Sequence, residues 1–564
     1  MEAEIKKAFI SFRIGTAQWM PEKRFKEFLN LFEKYKGITD EITFFTSETH
    51  PPLPLEVIKE RAGLLARRMP EVRKMGYKTG INILATIGHH NENLPNSLSG
   101  DYTPMTDIEG NICLGSFCPN DENMQGYIKQ LYEIIASADP DYIWIDDDVR
   151  LLGHLPIKET CFCDNCLRIF EQEYGVKYTR ASLKAAFSSE PVEKKLQVRK
   201  TWLQHNRNTI ARLFELIEKI VHGLKPGMPL GFMTGERFFE GYDFDKWAEI
   251  LSGSGRAEVR WRPGGGFYAD DCMKDIIDKS HAIGRQVSLL PDSVVSIQSE
   301  IENFPYQRLK KAAHTTALEA ASHIAAGCTG AAFNVLSMYD EPLGEYEPLM
   351  NNLCRTRPFF DLLVHELGRE KPKGIYTGWN KDTFAANNIA GEDWFGGKMW
   401  KMAGSYADEI FEIGLPPGYS PIDASVTVLS GNSVLAMKAD EILKMLSSGV
   451  YLDAQALTRL NEMGYEKLTG FSVERFVEND CIEDFVNHPL NTGFIGRRRD
   501  GRQSFWKCPA GILNPLSGSV QILTRAVDYS GKEIAPCCMG VFENHLGGRI
   551  CVAGYYPWMF LQNL

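Results

Sequence analysis

The sequence lacks any apolar run long enough to cross a bilayer as a helix, so we expect no membrane partner. It also lacks a basic surplus: 62 Lys and Arg residues stand against 73 Asp and Glu residues, and the formal net charge is -11. Because non-specific nucleic-acid binding requires basic side chains that neutralise phosphates, we expect no nucleic-acid partner.

The first residues, MEAEIKKAFISFRIG, lack the basic head, long apolar core and cleavage site of a signal peptide. We therefore expect a cytoplasmic protein, or a periplasmic or secreted one if a leader has been removed. The last residues, GRICVAGYYPWMFLQNL, form an apolar, strand-like ending with no polar tail, and we expect the native chain to continue beyond residue 564.

Cysteines are too scattered for a disulfide framework. The chain has 13 of them, an odd number, and most stand singly, which is typical of buried thiols in a reducing compartment. The exception is CFCDNC at residues 161–166.

Short apolar segments alternate with longer helical patterns from residue 8 to about residue 340. Eight strands that alternate with helices predict a closed (β/α)8 TIM barrel over residues 1–365. The active site of such a barrel lies at the C-terminal ends of its strands. The eight predicted strands are KAFISFRIG, DEITFFTS, KTGINILATIG, DYIWIDDD, PLGFMTG, AEVRWRPGG, VVSIQSEIE and GAAFNVLS.

Two further domains are predicted after the barrel. Residues 366–470 return to an α/β pattern, with SVTVLSG as a strand and MKADEILKMLSSG as a helix that ends at glycine. Residues 471–564 are strand-rich with turn residues between the strands, which predicts a small β domain.

The cysteine cluster predicts a structural metal site. Cys161, Cys163 and Cys166 supply three thiolates, and structural zinc prefers four ligands in a tetrahedron. Cys118 is the best fourth ligand because the loops after the third and fourth strands should be neighbours; Cys113 is the alternative. Four thiolates leave no open coordination position, so the metal would brace loops. Free thiols or a redox pair are the other interpretation.

Carboxylates gather at the ends of two separate strands. Two carboxylates that flank a glycosidic bond can hydrolyse it, because one protonates the leaving oxygen while the other attacks the anomeric carbon or activates water. Solvated residues and helix caps are the alternative interpretation for each of them. The candidates are Asp146, Asp147, Asp148 and Glu159 at and after the fourth strand, and Glu300 and Glu302, which share one face of the seventh.

The order of these motifs resembles glycoside hydrolase family 42, the β-galactosidases of clan A. WIDDD, CFCDNCLRIF, EYG and FCPN stand where that family has its acid/base strand end and zinc knuckle, and ENFP looks like its nucleophile strand end. The resemblance implies a structural zinc, no organic cofactor, and a flavodoxin- or amidotransferase-like second domain that builds a homotrimer. One departure is that the family reads Asn-Glu where this chain reads Asp147-Asp148.

The three-domain layout also resembles family 164, the retaining β-mannosidases. Together the resemblances imply a retaining exo-β-glycosidase that hydrolyses terminal β-mannosides or β-galactosides. In that setting Glu159, held beside the zinc knuckle, is the predicted acid/base, and Asp148 is its competitor. Glu302 matches an E-x-x-P pattern and Glu300 lies nearer the probable strand end, so both stay candidates for the nucleophile.

The remaining pocket candidates lie at or near strand ends, where arginine or asparagine side chains bind hydroxyl groups and aromatic rings stack on sugars. Other specificities (fucoside, glucoside or uronide) and a catalytically silent carbohydrate-binding protein are the competing hypotheses. The substrate-binding candidates are Arg13, Asp147, Trp261, Arg262 and Asn334.

Overall fold

The computed structural model describes residues 6–97, 100–157, 159–235, 241–396, 407–422, 424–500 and 509–555. The chain divides into two compact units. One contains Met1–Ser189 and Gln197–Glu370, and the other contains Glu190–Leu196 and Lys371–Leu564. Within the described ranges, no helix combines the length and apolar character that crossing a membrane requires.

The first unit is built on a closed barrel of eight parallel strands, as the sequence predicts. Around the barrel the order is β1, β2, β3, β6, β7, β8, β9 and β10, and Phe9 of β1 pairs with Gly330 of β10 to close it. Two further strands, β4 and β5, form an antiparallel hairpin between β3 and β6. The strands are β1 (Phe9–Ile14), β2 (Glu41–Phe45), β3 (Lys78–Ile83), β4 (Pro104–Thr106), β5 (Ile112–Phe117), β6 (Tyr142–Ile145), β7 (Leu230–Thr234), β8 (Val259–Pro263), β9 (Ser296–Glu302) and β10 (Gly330–Asn334).

Helices follow the barrel strands, as a parallel sheet requires. Their apolar residues recur at helical spacing, so that one face is buried; α2, for example, buries Phe25, Phe28, Leu31 and Phe32. The helices are α1 (Thr16–Trp19), α2 (Glu22–Lys34), α3 (Leu55–Lys74), α4 (Leu94–Ser97), α5 (Glu122–Ser137), α6 (Asp164–Tyr174), α7 (Arg180–Phe187), α8 (Val192–Leu224), α9 (Phe244–Ser252), α10 (Asp275–Ser288), α11 (Ala313–Ala325) and α12 (Glu347–Leu367).

The interior of the barrel is polar at its lower level. Arg260 donates to both carboxylate oxygens of Glu41 at 2.8 Å, and its guanidinium lies 4.1 Å from the centre of the Tyr142 ring. Gln298 donates to Glu41 and accepts a hydrogen bond from Ser11. Buried charges cost free energy unless they are paired, and here each one has a partner. This paired layer fills the barrel interior below the C-terminal ends of the strands.

The second unit contains a nine-stranded mixed sheet in the order β12, β11, β13, β14, β21, β20, β19, β16, β17, beside a separate β15–β18 pair. Its parallel half and its antiparallel half meet where β14 pairs with β21, so the sheet joins residues on both sides of the predicted boundary at residue 470. The elements are β11 (Ile375–Tyr376), β12 (Pro417–Gly418), β13 (Val426–Leu429), α13 (Ala439–Leu446), β14 (Gly449–Asp453), α14 (Ala454–Glu462), α15 (Glu466–Thr469), β15 (Phe471–Val477), β16 (Ile482–Phe485), β17 (Arg498–Asp500), β18 (Ala510–Pro515), β19 (Gln521–Val527), β20 (Glu533–Glu543) and β21 (Arg549–Ala553).

Candidate active site

Arg13, which projects inward from β1, is one centre of a buried polar cluster at the C-terminal ends of the strands. Its Nη1 donates to Glu302 Oε1 at 2.6 Å, and its Nη2 donates to Asp146 Oδ2 at 3.2 Å and to Asn82 Oδ1 at 3.0 Å. Asn82 in turn donates to Asp146 at 2.8 Å. One guanidinium therefore links the ends of β3, β6 and β9.

Arg262, on β8, is the second cation of the cluster. It donates to Glu300 and lies 3.7 Å from Asp146 Oδ1. Burial acts to lower the pKa of Arg262, but the surrounding carboxylates, Glu300 first among them, outweigh burial and raise it. Because its charge is committed to these carboxylates, Arg262 is a structural counter-ion in this arrangement.

The two glutamates of β9 have different surroundings. Glu300 is saturated, since Oε1 accepts from Arg262 while Oε2 accepts from the backbone N–H groups of Gly265 and Gly266. Burial opposes ionisation of Glu300, yet Arg262 and Lys279 hold its pKa well below the usual range.

Glu302 lies one pleat further toward the open end of the barrel. Its Oε1 accepts from Arg13 and, at 3.3 Å, from Asn334, while its Oε2 has no hydrogen-bond donor among the described residues. Burial and then the charge of Glu300 raise the pKa of Glu302, against the opposing charges of Arg13 and Arg262.

The three consecutive aspartates point to three different places. Asp146 faces the barrel interior, as described above. The Asp147 side chain is 22% exposed, pairs with Arg150 at 3.2 Å and stands beside Gly235, where an added Cβ would come within 2.6 Å of its Oδ2. Asp148 is fully buried.

Asp148 fastens the loop after β6 to the loop after β3. Its Oδ2 accepts the backbone N–H groups of Thr86, Ile87 and Gly88 at 2.6, 2.7 and 2.9 Å. Burial raises the pKa of Asp148 to about 8, although these N–H groups oppose the shift. The contacts give this side chain a structural role, and no surface of it is open to a ligand.

Glu159 and Trp261 lie outside the polar cluster. Glu159 is partly buried, and its carboxylate accepts the backbone N–H of Ile108, in the loop between β4 and β5, at 3.4 Å. Trp261 points away from the barrel interior because it stands between inward-facing Arg260 and Arg262 on β8. Its ring packs on Phe244 of α9 with the centroids 4.5 Å apart, so the structure offers no sugar-stacking surface there.

Tyr306 supplies an aromatic ring that the sequence analysis does not single out. It follows β9 with a φ of 62°, which is uncommon for a bulky residue, and it packs on an apolar group of Phe45, Leu84 and Met338. Burial, and next the charge of Glu302, raise the pKa of its phenol. An aromatic side chain therefore stands at the rim of the polar cluster.

The four cysteines predicted as ligands do come together. Cys118, Cys161, Cys163 and Cys166 are buried, and their sulfur atoms all lie within 4.8 Å of one another. Tetrahedral zinc with Zn–S bonds of about 2.3 Å needs sulfurs roughly 3.8 Å apart, and the Cys118–Cys166 separation is 3.5 Å. These residues fit a structural four-thiolate metal. Cys113 stands apart and contacts Asn91 and the Leu155 carbonyl.

A second polar group occupies the loops after β2, β3 and β6; the sequence offers His89 as a weaker pocket candidate but does not predict its partners His50, Glu92 and Arg150. Glu92 accepts from the imidazoles of His50 and His89, each at 3.2 Å. Arg150, which pairs with Asp147, also contacts His89. Asp147 is next in the chain to Asp146 of the polar cluster, so the two groups are neighbours.

No protein-family model and no curated protein matches the chain. Solved structures do match it. The cold-adapted β-galactosidase from Rahnella sp. R3 has a TM-score of 0.67 at 12% identity, over 98% of this chain and 87% of that chain. A catalytic mutant of a family 42 β-galactosidase from G. stearothermophilus has a TM-score of 0.65 at 11% identity, over 98% and 85%.

An exo-β-1,4-mannosidase from Opitutaceae bacterium strain TAV5 has a TM-score of 0.50 at 11% identity, over 97% of this chain and 92% of that chain. At such identities the likeness shows the fold. It confirms the resemblance in architecture to the clan A glycoside hydrolases that the motifs indicate.

Proposed function

We propose that this protein is a retaining β-glycosidase whose nucleophile is Glu302. The observation that carries the proposal is the carboxylate of Glu302, buried at the C-terminal end of the seventh barrel strand with Oε1 held by Arg13 and Asn334 and Oε2 without a donor among the described residues. A carboxylate nucleophile needs one oxygen fixed and the other available to the anomeric carbon. The solved structures that share the fold are named as β-galactosidases and a mannosidase, which supports the same class of substrate.

Glu300 is the weaker candidate for the nucleophile. Both of its carboxylate oxygens, one of which would have to attack, already accept hydrogen bonds, and Lys279 is a second cation after Arg262, 3.7 Å from Oε2. We assign Glu300 two roles: its charge neutralises Arg262, and it raises the pKa of Glu302.

A neutral terminal β-mannoside or β-galactoside fits the site better than a uronide. A uronide needs a free cation for its carboxylate, and the two arginines of the polar cluster, Arg13 and Arg262, are already paired with carboxylates of the protein. Asp147, which is partly exposed at the rim and pairs with Arg150, suits a sugar hydroxyl group.

The predicted carboxylates offer two candidates for the proton donor, Asp148 and Glu159, and the choice between them stays a proposal. Asp148 would have to abandon three backbone hydrogen bonds to reach a substrate, which argues against it. Glu159 remains a candidate, and its carboxylate accepts the backbone N–H of Ile108 in the β4–β5 loop. Zinc in the four-cysteine cluster and assembly into a homotrimer also stay proposals; bound zinc would hold the loop that carries Glu159.

A panel of aryl β-glycosides of mannose, galactose, glucose and fucose tests the proposal, with wild type beside Glu302→Gln and Glu300→Gln. We expect Glu302→Gln to lower kcat on the best substrate by roughly 10,000-fold or more, as the loss of a covalent nucleophile does. Azide should restore turnover in Glu302→Ala by attacking from the vacated face, giving the α-glycosyl azide. No turnover of any glycoside would favour a carbohydrate-binding protein, and an inactive Glu300→Gln with an active Glu302→Gln would exchange the two roles.

A further inference from the structure

Six side chains around the loops after β2, β3 and β6 form a connected group outside the Arg13 cluster. The rings of His50 and His89 have centroids 4.7 Å apart, and those of His89 and His90 are 3.6 Å apart. The members are His50, His89, His90, Glu92, Arg150 and His154.

The arginine fixes where the protons of this group lie. Arg150 has only donors, so the His89 Nε2 that it contacts must accept, and the proton of His89 is on Nδ1. That N–H then donates to Glu92 Oε1 at 3.2 Å. An Nδ1 that carries a proton is no metal ligand, so the arrangement favours a hydrogen-bond chain over a metal ion between His50, His89 and Glu92.

Glu92 orients His50 as the last member of the chain. Its Oε2 accepts both the backbone N–H and the Nδ1–H of His50 at 3.2 Å. Burial acts against ionisation, but the hydrogen bonds from His50 and His89 hold the pKa of Glu92 well below its usual range. Glu92 is thus a charged acceptor that locks the tautomer and the direction of the His50 ring.

The second ring nitrogen of His50, Nε2, is not used in the contact with Glu92. The ring is 24% exposed, and Nε2 has no hydrogen-bond partner in the part of the chain that the structure describes. His50 follows the second barrel strand, which is three strands from β9 on one side, just as β6 is three strands from it on the other. A group there can reach the face of a sugar opposite Glu302 as readily as a group that follows β6.

The charges that face His50 favour its protonated form. Glu92 approaches from the loop after β3, and Asp146 and Asp147 approach from the end of β6; His89 lies between. Burial lowers the pKa of His50, but the hydrogen bond to Glu92 and the three carboxylate charges outweigh it and raise the pKa. By contrast, burial and Arg150 lower the pKa of His90 to about 4, so His90 is neutral near pH 7.

We infer that His50, positioned by Glu92, is the proton donor to the glycosidic oxygen and takes the place of the strand-end glutamate that this chain lacks. The inference rests on the proposed function. In the first step the bond from C1 to the leaving oxygen breaks while Glu302 Oε2 bonds to C1, and the proton of His50 Nε2 passes to the leaving oxygen. In the second step neutral His50 takes a proton from water as that water attacks C1 and releases Glu302.

The test compares His50→Asn with wild type on a 2,4-dinitrophenyl glycoside, whose leaving group needs no proton, and on a phenyl glycoside, which does. The asparagine amide can still donate to Glu92, so the loop contact is kept. We expect kcat/KM on the phenyl glycoside to fall by about 100- to 10,000-fold and that on the dinitrophenyl glycoside to change less than tenfold. Azide should accelerate the variant and yield the β-glycosyl azide.

His222→Asn is the matched control, because His222 makes a similar Nδ1 contact with Glu218, at 2.9 Å, near the end of α8 that leads into the start of β7. It should behave as wild type on both substrates. Glu92→Gln is a second variant that keeps the shape of the loop. Removing the Glu92 charge lowers the pKa of His50, so the alkaline limb of kcat/KM should move to lower pH.

Equal losses on the two leaving groups, or no loss in His50→Asn, would overturn the inference. The proposed function fails separately: it falls if Glu302→Gln keeps its activity on the dinitrophenyl glycoside. If Glu302→Gln is inactive while His50→Asn matches wild type on the phenyl glycoside, the nucleophile stands and the acid lies elsewhere, with Glu159→Ala as the next variant to measure.

Discussion

The substitution Glu319→Gln should destabilise the barrel strongly, because the Glu319 carboxylate binds two buried lysines at once. Lys279 donates to it at 2.8 Å and Lys311 at 2.6 Å, and all three side chains are almost completely buried. The same lysines donate to the backbone carbonyls of Glu300 and Glu302. The amide would keep the shape, remove the carboxylate that pairs with Lys311, and leave Lys279 with only the more distant Glu300 carboxylate, at 3.7 Å.

Breaking a buried ion pair by removing one partner costs about 3–5 kcal/mol. That is roughly a 100- to 10,000-fold change in the folding equilibrium. A buried lysine can limit the cost by releasing its proton; burial already lowers the pKa of Lys311. Since the unfolded lysine would then bind more protons than the folded one, the stability of Glu319→Gln should rise as pH rises toward the ordinary lysine value.

Denaturant titration followed by tryptophan fluorescence measures the free energy of unfolding of both variants. Glu345→Gln is the matched control, because Glu345 pairs with Arg308 at 3.0 Å on the surface, where about half of each side chain is exposed. Exposed pairs contribute about 0–1 kcal/mol. If Glu319→Gln lost no more stability than Glu345→Gln, the reasoning about the buried charges would be refuted.

Two further outcomes follow from the site. Metal analysis should find zinc in wild type and in Cys113→Ser but not in Cys163→Ser, because Cys163 belongs to the four-sulfur cluster and Cys113 does not. Equal zinc in both variants would contradict this. Because burial and the Glu300 charge raise the pKa of Glu302, activity should fall as pH drops through that raised value. Glu300→Gln removes one of the two causes, so the acidic limb of its kcat/KM profile should move to lower pH, and an unchanged limb would argue against Glu302 as the titrating group.

The barrel is predictable because its strands are buried on both sides and are therefore short apolar runs between helical patterns. All eight predicted segments contain a strand, but their ends differ. KTGINILATIG is predicted as one strand to Gly88, whereas β3 ends at Ile83. The N–H groups of Thr86, Ile87 and Gly88 bind Asp148, and apolar pattern alone does not show that a side chain replaces the next strand as their partner.

Alternation along strands accounts for what the sequence predicts of the site and what it misses. Arg13, Arg262, Asn334 and the two glutamates of β9 come together because each is an inward residue near the C-terminal end of a strand. Asn82 follows the same rule and could have been found by it. The same rule excludes Trp261, which adjoins inward-facing arginines on both sides.

Strand alternation could not have predicted that His50, Glu92 and Arg150 come together. They lie in loops after three different strands, and periodicity carries no information about the path of a loop. The pairing of β21 between β14 and β20 is equally hidden, because the strands adjoin in space but are far apart in sequence.

Covalent trapping tests the central claim most directly. The wild-type protein would be treated with the 2,4-dinitrophenyl 2-deoxy-2-fluoro-β-glycoside of the sugar that turns over best, digested, and sequenced by mass spectrometry. The account predicts one glycosyl label, on Glu302. A label on Glu300 would exchange the roles assigned to the two glutamates, and the absence of any covalent label with a substrate that is hydrolysed would contradict a retaining mechanism.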